Sequence, residues 1–305
     1  MSRTPIRSAL AATFAAAAVL AFTQATGAAT PASNVTADQL KSIKTSMDRQ
    51  WTSPPSSVAG WYVDEQTNTV VVEIVGNDKA GLAFAKSGPG ASSAVRTTSI
   101  PTGYQTTWNI IGGQALFFGS GRCSVGFNTR AASGNRYVLT AGHCTNLGGT
   151  VSGVGGVIGP VAASSFPGND YGAIRVSSTS AVSTALVDRY SAGSDVTVTG
   201  ALNPGVNQGV CRSGSTTGWR CGSVTATGQT VCYPQGCVGG LIRTNVCAEP
   251  GDSGGSLVTN PGTGTTVRAV GLTSGGSGNC SSGGTTFFQP VTEPLSVYGL
   301  TLITG

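Results

Sequence analysis

The most informative segment of the chain reads Cys247-Ala248-Glu249-Pro250-Gly251-Asp252-Ser253-Gly254-Gly255-Ser256. The glycines around Ser253 allow the backbone to turn tightly, so that the hydroxyl is exposed and successive N–H groups point to one place. A nucleophilic serine with an oxyanion hole requires such an arrangement. Glycine and serine are also the commonest loop residues, so a plain glycine-rich surface loop is the alternative.

The composition favours short strands joined by turns over helices. Only 10% of the 305 residues are charged, 46 are glycine, and the mean hydropathy is +0.11. The mean hydropathy is too high for a disordered chain, and the length suffices for two core-building units. From residue 110 onward, roughly a dozen short apolar runs predict an all-β domain of two packed antiparallel β-barrels with six strands each.

The predicted strands of this domain share short apolar runs bounded by glycine, proline and polar residues. They are expected at residues 123–128, 137–140, 173–176, 196–199, 222–225, 241–246, 256–259, 269–273 and 286–291. Residues 295–302 are expected to close the chain as a short helix or an extended tail.

The N-terminal segment resembles a secretory signal. Arg3 and Arg7 form a positive start, an apolar run follows at residues 9–22, and small residues occupy positions 27–29. The alternative is a membrane-spanning helix, which needs about 20 apolar residues. Because the run is shorter, we predict a signal peptide over residues 1–29, export to the extracellular space and no membrane role.

Residue usage changes along the chain. All four lysines precede residue 108, and no cysteine occurs before residue 123. This contrast predicts a removable pro-segment over residues 30–107 and a mature domain over residues 108–305. The start of the mature chain could equally be residue 109 or 110.

The pro-segment has the pattern of a small α+β unit. Thr36 and Gln39 match a capping box and predict a helix through Leu40, Ile43 and Met47. Two further features complete the prediction: a strand–turn–strand pattern at residues 61–63 and 70–75, and a cleavable linker over residues 88–107.

The cysteines indicate an oxidising compartment. All eight lie between Cys123 and Cys280, and an even number in an exported chain predicts disulfides. Structural zinc is the alternative, but the chain has a single histidine and no pair of closely spaced Cys-x-x-Cys motifs. We therefore predict no metal and no cofactor. Cys232 and Cys237 are spaced as a staple across a hairpin.

The single histidine follows an apolar strand in Tyr137-Val138-Leu139-Thr140-Ala141-Gly142-His143-Cys144. A lone histidine is more often a structural residue than a catalyst. If Ser253 is activated by an imidazole, however, only His143 can act as the general base.

The third member should be a carboxylate that orients the imidazole. Between His143 and Ser253 the candidates are Asp170, Asp188, Asp195, Glu249 and Asp252. Asp170 opens a predicted strand, which can hold it rigidly at a barrel rim. The surroundings of Asp188 and Asp195 are polar and loop-like, so a solvated surface carboxylate is expected there. We predict that Asp170 is the orienting carboxylate.

The order of these residues separates three kinds of hydrolase. Gly251-x-Ser253-x-Gly255 also fits the nucleophile elbow of α/β-hydrolases, but that fold needs a histidine after the serine and none follows. The subtilisin order needs an aspartate before the histidine, and none lies between residue 108 and His143. The order His, Asp, Ser remains, which is that of chymotrypsin.

With these residues in place, the chain resembles bacterial chymotrypsin-like serine proteases of the streptogrisin and α-lytic protease group, in precursor form. The resemblance covers residues 110–305. The motifs that carry it lie at residues 121–127, 140–144, 211–219, 246–256 and 271–289. Residues 61–75 are similar to the C-terminal part of that group's pro-region.

The resemblance implies a role for each matching residue. Ser253 would be the nucleophile, His143 the general base and then acid, and Asp170 the orienting carboxylate of a secreted endopeptidase that acts through an acyl-enzyme. The N–H groups of Gly251 and Ser253 would form the oxyanion hole. Ser274-Gly275-Gly276 would bind the substrate backbone and form one wall of the primary specificity pocket. A flexible loop is the alternative for residues 274–278.

The same comparison implies the specificity. Open glycines at positions 275 and 276 favour large apolar or aromatic side chains before the scissile bond. The glutamate-specific members of the group have a histidine where Thr273 stands, and no acidic residue lies near Asn245 to select lysine or arginine.

The resemblance also implies structural pairings. The disulfides would be Cys123–Cys144, Cys211–Cys221 and Cys247–Cys280, with Cys232–Cys237 as an addition to the usual three. In this group the carboxylate at Asp252 is paired with an internal arginine, here Arg212. The pro-segment would then act as a folding aid and inhibitor, and cleavage would not itself build the active site.

The expected partners are polypeptide substrates, the chain's own pro-segment and proteinaceous protease inhibitors, with the enzyme a monomer. Nucleic-acid binding is suggested only by a pI of about 8.8. The arginines are dispersed, so a solvated basic surface is the better interpretation. A catalytically inactive protease-like binding module is the main alternative function. Such modules usually lose one triad member, whereas all three candidates are present here.

Overall fold

The structure is a computed structural model that describes residues 35–49, 53–87 and 91–305. The predicted signal peptide, residues 1–29, lies outside the described residues. The chain divides into two compact units, Met1–Tyr104 and Gln105–Gly305. Within the described ranges, no helix combines the length and the apolar character that crossing a membrane requires.

In its described residues, the first unit combines three helices with a three-stranded sheet. In chain order it contains α1 (Ala37–Arg49), β1 (Val58–Asp64), β2 (Thr69–Val75), α2 (Lys79–Lys86), α3 (Ala91–Ala94) and β3 (Val95–Ile100). The predicted helix start is confirmed, because Thr36 and Gln39 exchange hydrogen bonds as a capping box. The buried face of α1 is Leu40, Ile43 and Met47, as predicted.

Part of the predicted linker over residues 88–107 is wrong. Its residues 95–100 form β3, which pairs parallel with β2 from Val70↔Val95 to Val75↔Ile100. A parallel pair needs a long crossover, and α2 supplies part of it. β3 is weakly apolar, and it forms because the central strand β2 offers a second edge for pairing. The predicted pair β1 and β2 is confirmed and antiparallel.

The second unit is built almost entirely of strands. These are β4 (Trp108–Gly112), β5 (Ala115–Phe118), β6 (Gly121–Ser124), β7 (Phe127–Ala131), β8 (Arg136–Thr140), β9 (Thr150–Gly153), β10 (Gly156–Ser165), β11 (Tyr171–Arg175), β12 (Ala181–Val187), β13 (Val196–Ala201), β14 (Gly209–Gly214), β15 (Gly218–Tyr233), β16 (Gly236–Thr244), β17 (Ser256–Thr259), β18 (Thr266–Asn279), β19 (Gly283–Pro290) and β20 (Leu300–Leu302). The short helices are α4 (Gly142–Thr145), α5 (Thr292–Val297) and a 3₁₀ turn at Tyr190–Ala192.

The strands form two sheets, so the predicted all-β class is confirmed. One sheet has eight strands in the order β20-β7-β8-β11-β10-β9-β5-β6. The other has nine in the order β17-β14-β15-β16-β19-β18-β13-β12-β4. Since β17 pairs with both β14 and β18, six strands of this second sheet close on themselves. The sheets thus hold more strands than the predicted six each, and the pairings β4–β12 and β13–β18 are parallel.

Several predicted strands have different ends in the structure. The predicted strand over residues 123–128 divides into β6 and β7, because the N–H of Val125 donates to Gln114 while that of Gly126 donates to Leu139. The chain therefore changes partner strand between these two residues. Residues 274–278 continue β18 instead of forming a flexible loop, and residues 295–302 fold as the end of α5 followed by β20.

Two hydrophobic clusters meet at β8, and this meeting point positions the site. Leu139 packs into a cluster that contains Val258 and Leu272 of the other sheet. Val138, whose side chain points to the opposite face, packs into a separate cluster with Ile174. The C-terminal end of β8 is therefore fixed from both faces at the boundary between the sheets.

Candidate active site

The elements that carry His143 and Asp170 are neighbours in one sheet. His143 lies on α4, which begins directly after β8, and Asp170 directly precedes β11. β8 and β11 pair antiparallel, with Thr140 opposite Gly172. This register brings the residue that follows one strand beside the residue that precedes the other.

Hydrogen bonds join His143 to Asp170 in two ways. Nδ1 of the ring lies 2.9 Å from Oδ2 of Asp170, and the backbone N–H of His143 donates to Oδ1 at 2.9 Å. Because a carboxylate only accepts, Nδ1 must carry the proton and Nε2 is left as the basic nitrogen. Asp170 has no exposed side-chain surface, whereas His143 is 29% exposed. The buried carboxylate thus orients a ring that solvent and ligands can reach.

Ser253 lies beside the end of β8. Its carbonyl oxygen accepts a hydrogen bond from the N–H of Ser124 at 2.8 Å. The next residue must be glycine, because a Cβ at Gly254 would lie 2.7 Å from the backbone nitrogen of Ala141. Ala141 is two residues before His143, so this close approach brings the serine next to the histidine turn. The side chain of Ser253 is partly exposed.

The third contact of the predicted triad is not made as a hydrogen bond. Across the residues that the structure describes, the hydroxyl of Ser253 forms none with the ring of His143. Hydrogen bonds between a nucleophile and its base are often long in the free enzyme and tighten when substrate binds. The structure therefore joins His143 to Asp170 and places Ser253 nearby.

Two carbonyl groups fix the predicted oxyanion hole. The carbonyl oxygen of Pro250 accepts a hydrogen bond from the hydroxyl of Thr216 at 2.7 Å, and that of Asp252 accepts from the N–H of Gly255 at 3.0 Å. In a trans peptide the C=O and N–H point in opposite directions. The N–H groups of Gly251 and Ser253 are therefore turned away from these partners. Neither donates a hydrogen bond to another described residue.

A buried ion pair supports the same loop. Nη1 of Arg212 lies 3.2 Å from Oδ1 of Asp252, and neither side chain has any exposed surface. Nη1 itself makes no hydrogen bond, so this contact is mainly Coulombic. Oδ1 accepts from the N–H groups of Thr216 and Thr217, and Oδ2 accepts from the N–H of Glu249. Burial lowers the pKa of Arg212, and the charge of Asp252 partly offsets this effect.

A cleft of about 280 Å³ opens next to His143. It is lined by His143, Phe166, Tyr233, Gln235 and residues 274–276. The ring of Phe166 packs edge-on against His143 with centroids 5.7 Å apart. Aromatic walls beside a polar strand edge suit an extended peptide with apolar side chains.

Ser274 has a second function beyond the predicted backbone contact. Ser274 is buried, with 4% of its surface exposed, and its hydroxyl donates a hydrogen bond to Oδ2 of Asp170 at 2.6 Å. It also lies 3.0 Å from the hydroxyl of Tyr233, whose pKa is raised by burial. The strand edge of the cleft is thereby tied to the carboxylate that holds His143.

The two glycines of this edge have packing reasons of their own. A Cβ at Gly275 would lie 2.8 Å from the ring of Tyr233, so glycine there makes room for an aromatic wall of the cleft. A Cβ at Gly276 would instead collide with the backbone oxygen of Thr285 on β19. Glycine at 276 is therefore required for strand pairing, whatever it contributes to the pocket.

Four disulfides are formed, and they are the pairs that the resemblance implies: Cys123–Cys144, Cys211–Cys221, Cys232–Cys237 and Cys247–Cys280. The first links β6 to the helical turn of His143, and the last links the segment before Ser253 to the end of β18. Cys123 and Cys144 lie close to His143, but their sulfurs are bonded to each other and offer no thiolate to a metal.

Among the described residues, neither Asp188 nor Asp195 forms a hydrogen bond with His143, which binds Asp170 instead. Asp188 accepts hydrogen bonds from the N–H of Tyr190 and the side chain of Gln114. Asp195 is partly buried, which raises its pKa, as does the nearby charge of Asp188. Neither is the fully solvated carboxylate that its polar surroundings predict. Neither Thr216, which binds the carbonyl of Pro250, nor Gln289, which binds the backbone of Asp170, was singled out from the sequence, because a hydroxyl or an amide inside a motif serves many structural purposes.

The comparisons with known proteins agree with this geometry. A family model described as the alpha-lytic protease prodomain matches residues 36–87, and one described as trypsin matches residues 110–297. Streptogrisin-C of Streptomyces griseus is 43% identical over 274 residues, which are 88% of this chain and 57% of that protein. Streptogrisin-A of the same organism is 46% identical over 252 residues, which are 81% of this chain and 80% of that protein.

Among solved structures, the Nocardiopsis protease NAPase is similar with a TM-score of 0.60 and 51% identity. The match covers 65% of this chain and 100% of that one. The trypsin model alone covers more than half of the chain, and it spans all the residues that build the site described above. The chain therefore belongs to the trypsin family of chymotrypsin-like serine proteases, in the bacterial group that carries an alpha-lytic protease prodomain.

Proposed function

We propose that this chain is the precursor of a secreted serine endopeptidase that hydrolyses peptide bonds through Ser253, His143 and Asp170. The observation that carries the proposal is the pair of hydrogen bonds from His143 to the buried carboxylate of Asp170. They leave Nε2 as the basic nitrogen on the side of the ring away from Asp170. Membership of the trypsin family supports the same reaction.

In the proposed reaction, the Oγ of Ser253 attacks the carbonyl carbon of the scissile bond while Nε2 of His143 takes its proton. The N–H groups of Gly251 and Ser253 stabilise the negative oxygen that forms. His143 then donates the proton to the leaving amine, which releases the C-terminal product and leaves an acyl-enzyme. Water, activated by the same imidazole, hydrolyses the ester and restores the serine. Ser274, Gly275 and Gly276 hold the substrate backbone.

The proposed specificity is for large apolar or aromatic side chains before the scissile bond. Thr273 is buried and donates its hydroxyl to the backbone of Gly255, so no ionisable group is available there to bind glutamate. The amide oxygen of Asn245 accepts from the N–H of Ser223, and Asn245 brings no negative charge for lysine or arginine. These features support an uncharged pocket.

The proposed processing has three steps along the chain. Residues 1–29 direct export and are removed, residues 30–107 act as folding aid and inhibitor, and residues 108–305 are the mature, monomeric enzyme. The internal partner of Asp252, Arg212, supports an active site that needs no newly formed N-terminus. Proteinaceous inhibitors that present an extended loop to the cleft are the expected further partners.

Labelling with a fluorophosphonate tests the proposal directly. We expect the probe to label the wild-type protein at Ser253 and to leave Ser253→Ala and His143→Ala unlabelled. Labelling of neither the wild type nor any variant would favour the inactive binding module.

Cleavage of a peptide library tests the specificity. We expect Phe, Tyr, Leu or Met before the cut, and a dominant preference for Glu or Arg would refute the uncharged pocket.

Expression of residues 108–305 alone tests the pro-segment. We expect little active enzyme without residues 30–107 and recovery when the pro-segment is supplied as a separate chain. A normal yield of active enzyme from residues 108–305 alone would contradict the folding role.

A further inference from the structure

Gln289 on β19 contacts the backbone of the orienting carboxylate. Its Oε1 accepts a hydrogen bond from the N–H of Asp170 at 2.8 Å, and both residues have no exposed surface. On the neighbouring strand β18, the hydroxyl of Ser274 donates to the carboxylate of the same residue at 2.6 Å. Asp170 precedes a strand of one sheet, but its side chain and its backbone nitrogen are both held by the other sheet.

The side chain of Gln289 can hold Asp170 in only one of its two amide orientations. A backbone N–H needs an acceptor, so the amide oxygen must face Asp170 and the NH₂ group must face away. The NH₂ group donates to Oε2 of Glu293 at 2.7 Å. An ionised carboxylate offers no donor, so a flipped amide would place oxygen against oxygen at Glu293 and N–H against N–H at Asp170. Glu293 therefore selects the orientation that Asp170 requires.

Glu293 is itself placed close to the same segment. It lies on α5, four residues after Gln289, and it is partly buried. Its negative charge contributes, after burial, to the raised pKa of Tyr171, which directly follows Asp170. The carboxylate thus lies beside the start of β11 as well as beside the amide of Gln289.

We infer that Glu293 is a positioning residue for the proposed hydrolysis, acting through the amide of Gln289 on the backbone of Asp170 and so on the orientation of His143. The inference rests on the proposed function, because the position of Asp170 affects a rate only if His143 is the base. Glu293 is not among the residues that line the cleft beside His143. Its contribution is to keep one hydrogen-bonded arrangement in a place where two amide orientations compete.

The expected kinetic effect lies in kcat. Glu293→Leu removes the acceptor and frees the amide of Gln289 to rotate, so we expect kcat to fall by about 10-fold, below the ~100-fold that a misplacement of about 1 Å can cost. KM should change by less than about twofold, because the residues that line the cleft are untouched. Glu293→Gln retains an oxygen that can accept from Gln289, so kcat should recover to within about threefold of the wild type.

The experiment compares full-length chains carrying Glu293→Leu, Glu293→Ala or Glu293→Gln with the wild type, using a soluble peptide amide and the enzyme each chain yields. Leu and Ala both remove the acceptor, so either suffices if the other does not fold. Thr292→Val is the matched control, since Thr292 precedes Glu293 on α5 and its hydroxyl donates to the side-chain oxygen of Asn203 and not to Gln289. Melting temperatures are measured in parallel.

Four outcomes distinguish a failure of this inference from a failure of the proposed function. The inference is supported if kcat falls in Glu293→Leu or Glu293→Ala, is restored in Glu293→Gln and is unchanged in Thr292→Val. Unchanged kcat in Leu and Ala, in a wild type that reacts with the fluorophosphonate, overturns it and leaves the proposed function intact. Equal losses in Thr292→Val, or no recovery with Gln, also overturn it in favour of a general effect on α5. A wild type that neither reacts with the probe nor cleaves peptides would refute the proposed function itself.

Discussion

The hydroxyl of Thr216 donates a hydrogen bond to the carbonyl oxygen of Pro250 at 2.7 Å. Because the intervening peptide is planar and trans, this bond turns the N–H of Gly251 to the opposite side, toward the proposed oxyanion hole. The guanidinium of Arg122 donates to the same hydroxyl at 2.9 Å and so fixes its position. A threonine on the turn between β14 and β15 thereby sets the direction of a backbone donor 35 residues away in sequence.

Thr216→Val should lower kcat with little change in KM. The variant retains the shape of the side chain but leaves the peptide before Gly251 without its hydroxyl partner. We expect a loss of about 10-fold, since complete removal of an oxyanion donor costs about 100- to 1000-fold. Steady-state hydrolysis of a peptide amide measures it, with the exposed Thr150→Val as control. An unchanged kcat would show that the peptide holds its orientation without Thr216.

Asp170→Asn should lower kcat by about 10⁴-fold. The backbone N–H of His143 requires an acceptor at the Oδ1 position, so the new NH₂ group must take the Oδ2 position and face Nδ1. Nδ1 then has to accept, the proton moves to Nε2, and the ring can no longer take the proton of Ser253. Hydrolysis rates measure the effect, and Asp195→Asn is the control. A loss of less than about tenfold would assign the orienting role elsewhere.

Arg212→Met should destabilise the mature enzyme by about 3 to 5 kcal/mol, because it leaves the carboxylate of Asp252 buried without its counter-charge. The double variant Arg212→Met, Asp252→Leu should lose less stability than the sum of the losses in the two single variants. Denaturant unfolding of enzyme blocked at Ser253 by a sulfonyl fluoride measures both. Additive losses would show that the two charges do not stabilise each other.

Removing the disulfide Cys232–Cys237 should affect substrate binding more than turnover. The pair closes the hairpin of β15 and β16, which carries Tyr233 and Gln235 to the cleft. For so short a loop the chain-entropy model predicts that removing the disulfide lowers the free energy of unfolding by about 2 kcal/mol. In the double Cys→Ser variant we expect KM for an extended peptide to rise several-fold while kcat changes little. Equal KM values for variant and wild type would exclude the hairpin as a wall of the binding site.

Tyr298→Phe should flatten the alkaline loss of stability. Burial, with a smaller contribution from Tyr171, raises the pKa of Tyr298 from its usual 10.0 to about 12. Because the pKa is higher in the folded state, the phenol of the unfolded chain loses its proton at a lower pH. The stability contributed by burying the neutral phenol is therefore complete below pH 10.0 and is lost as the pH rises toward about 12. The denaturation midpoint of inhibited enzyme, measured between these values, should fall less steeply in the variant. Identical slopes would contradict the assignment to this phenol.

The sequence alone led to the residues that carry the proposed chemistry. The chain has one histidine, so the choice of base follows from the choice of Ser253 as nucleophile. The order of His143, Asp170 and Ser253 excluded two other hydrolase folds. α/β-Hydrolases need a histidine after the serine, and subtilisins need an aspartate before the histidine. The capping box of α1 and the strand β17 were also predictable, because both depend on local residue patterns.

Contacts between distant segments were not predictable. Gln289 binds the backbone of Asp170 across 119 residues, and Thr216 binds Pro250 across 34. Both residues lie in segments that carry the family resemblance, but an amide or a hydroxyl serves many structural purposes, so the sequence does not reveal these two contacts. The strand β3 was missed for the same reason: its weakly apolar residues form a strand only because β2 offers a free edge.

The sequence by itself determined an all-β domain with disulfides after a small α+β segment, a short list of candidate catalytic groups and the hydrolase class that their order permits. Only the tertiary structure decided which side chains hold Asp170 and the peptide before Gly251 in place. The physical reason is one of range. Strand propensity and turn chemistry depend on residues a few positions apart, whereas a hydrogen bond forms within about 3 Å and depends on how the two sheets pack.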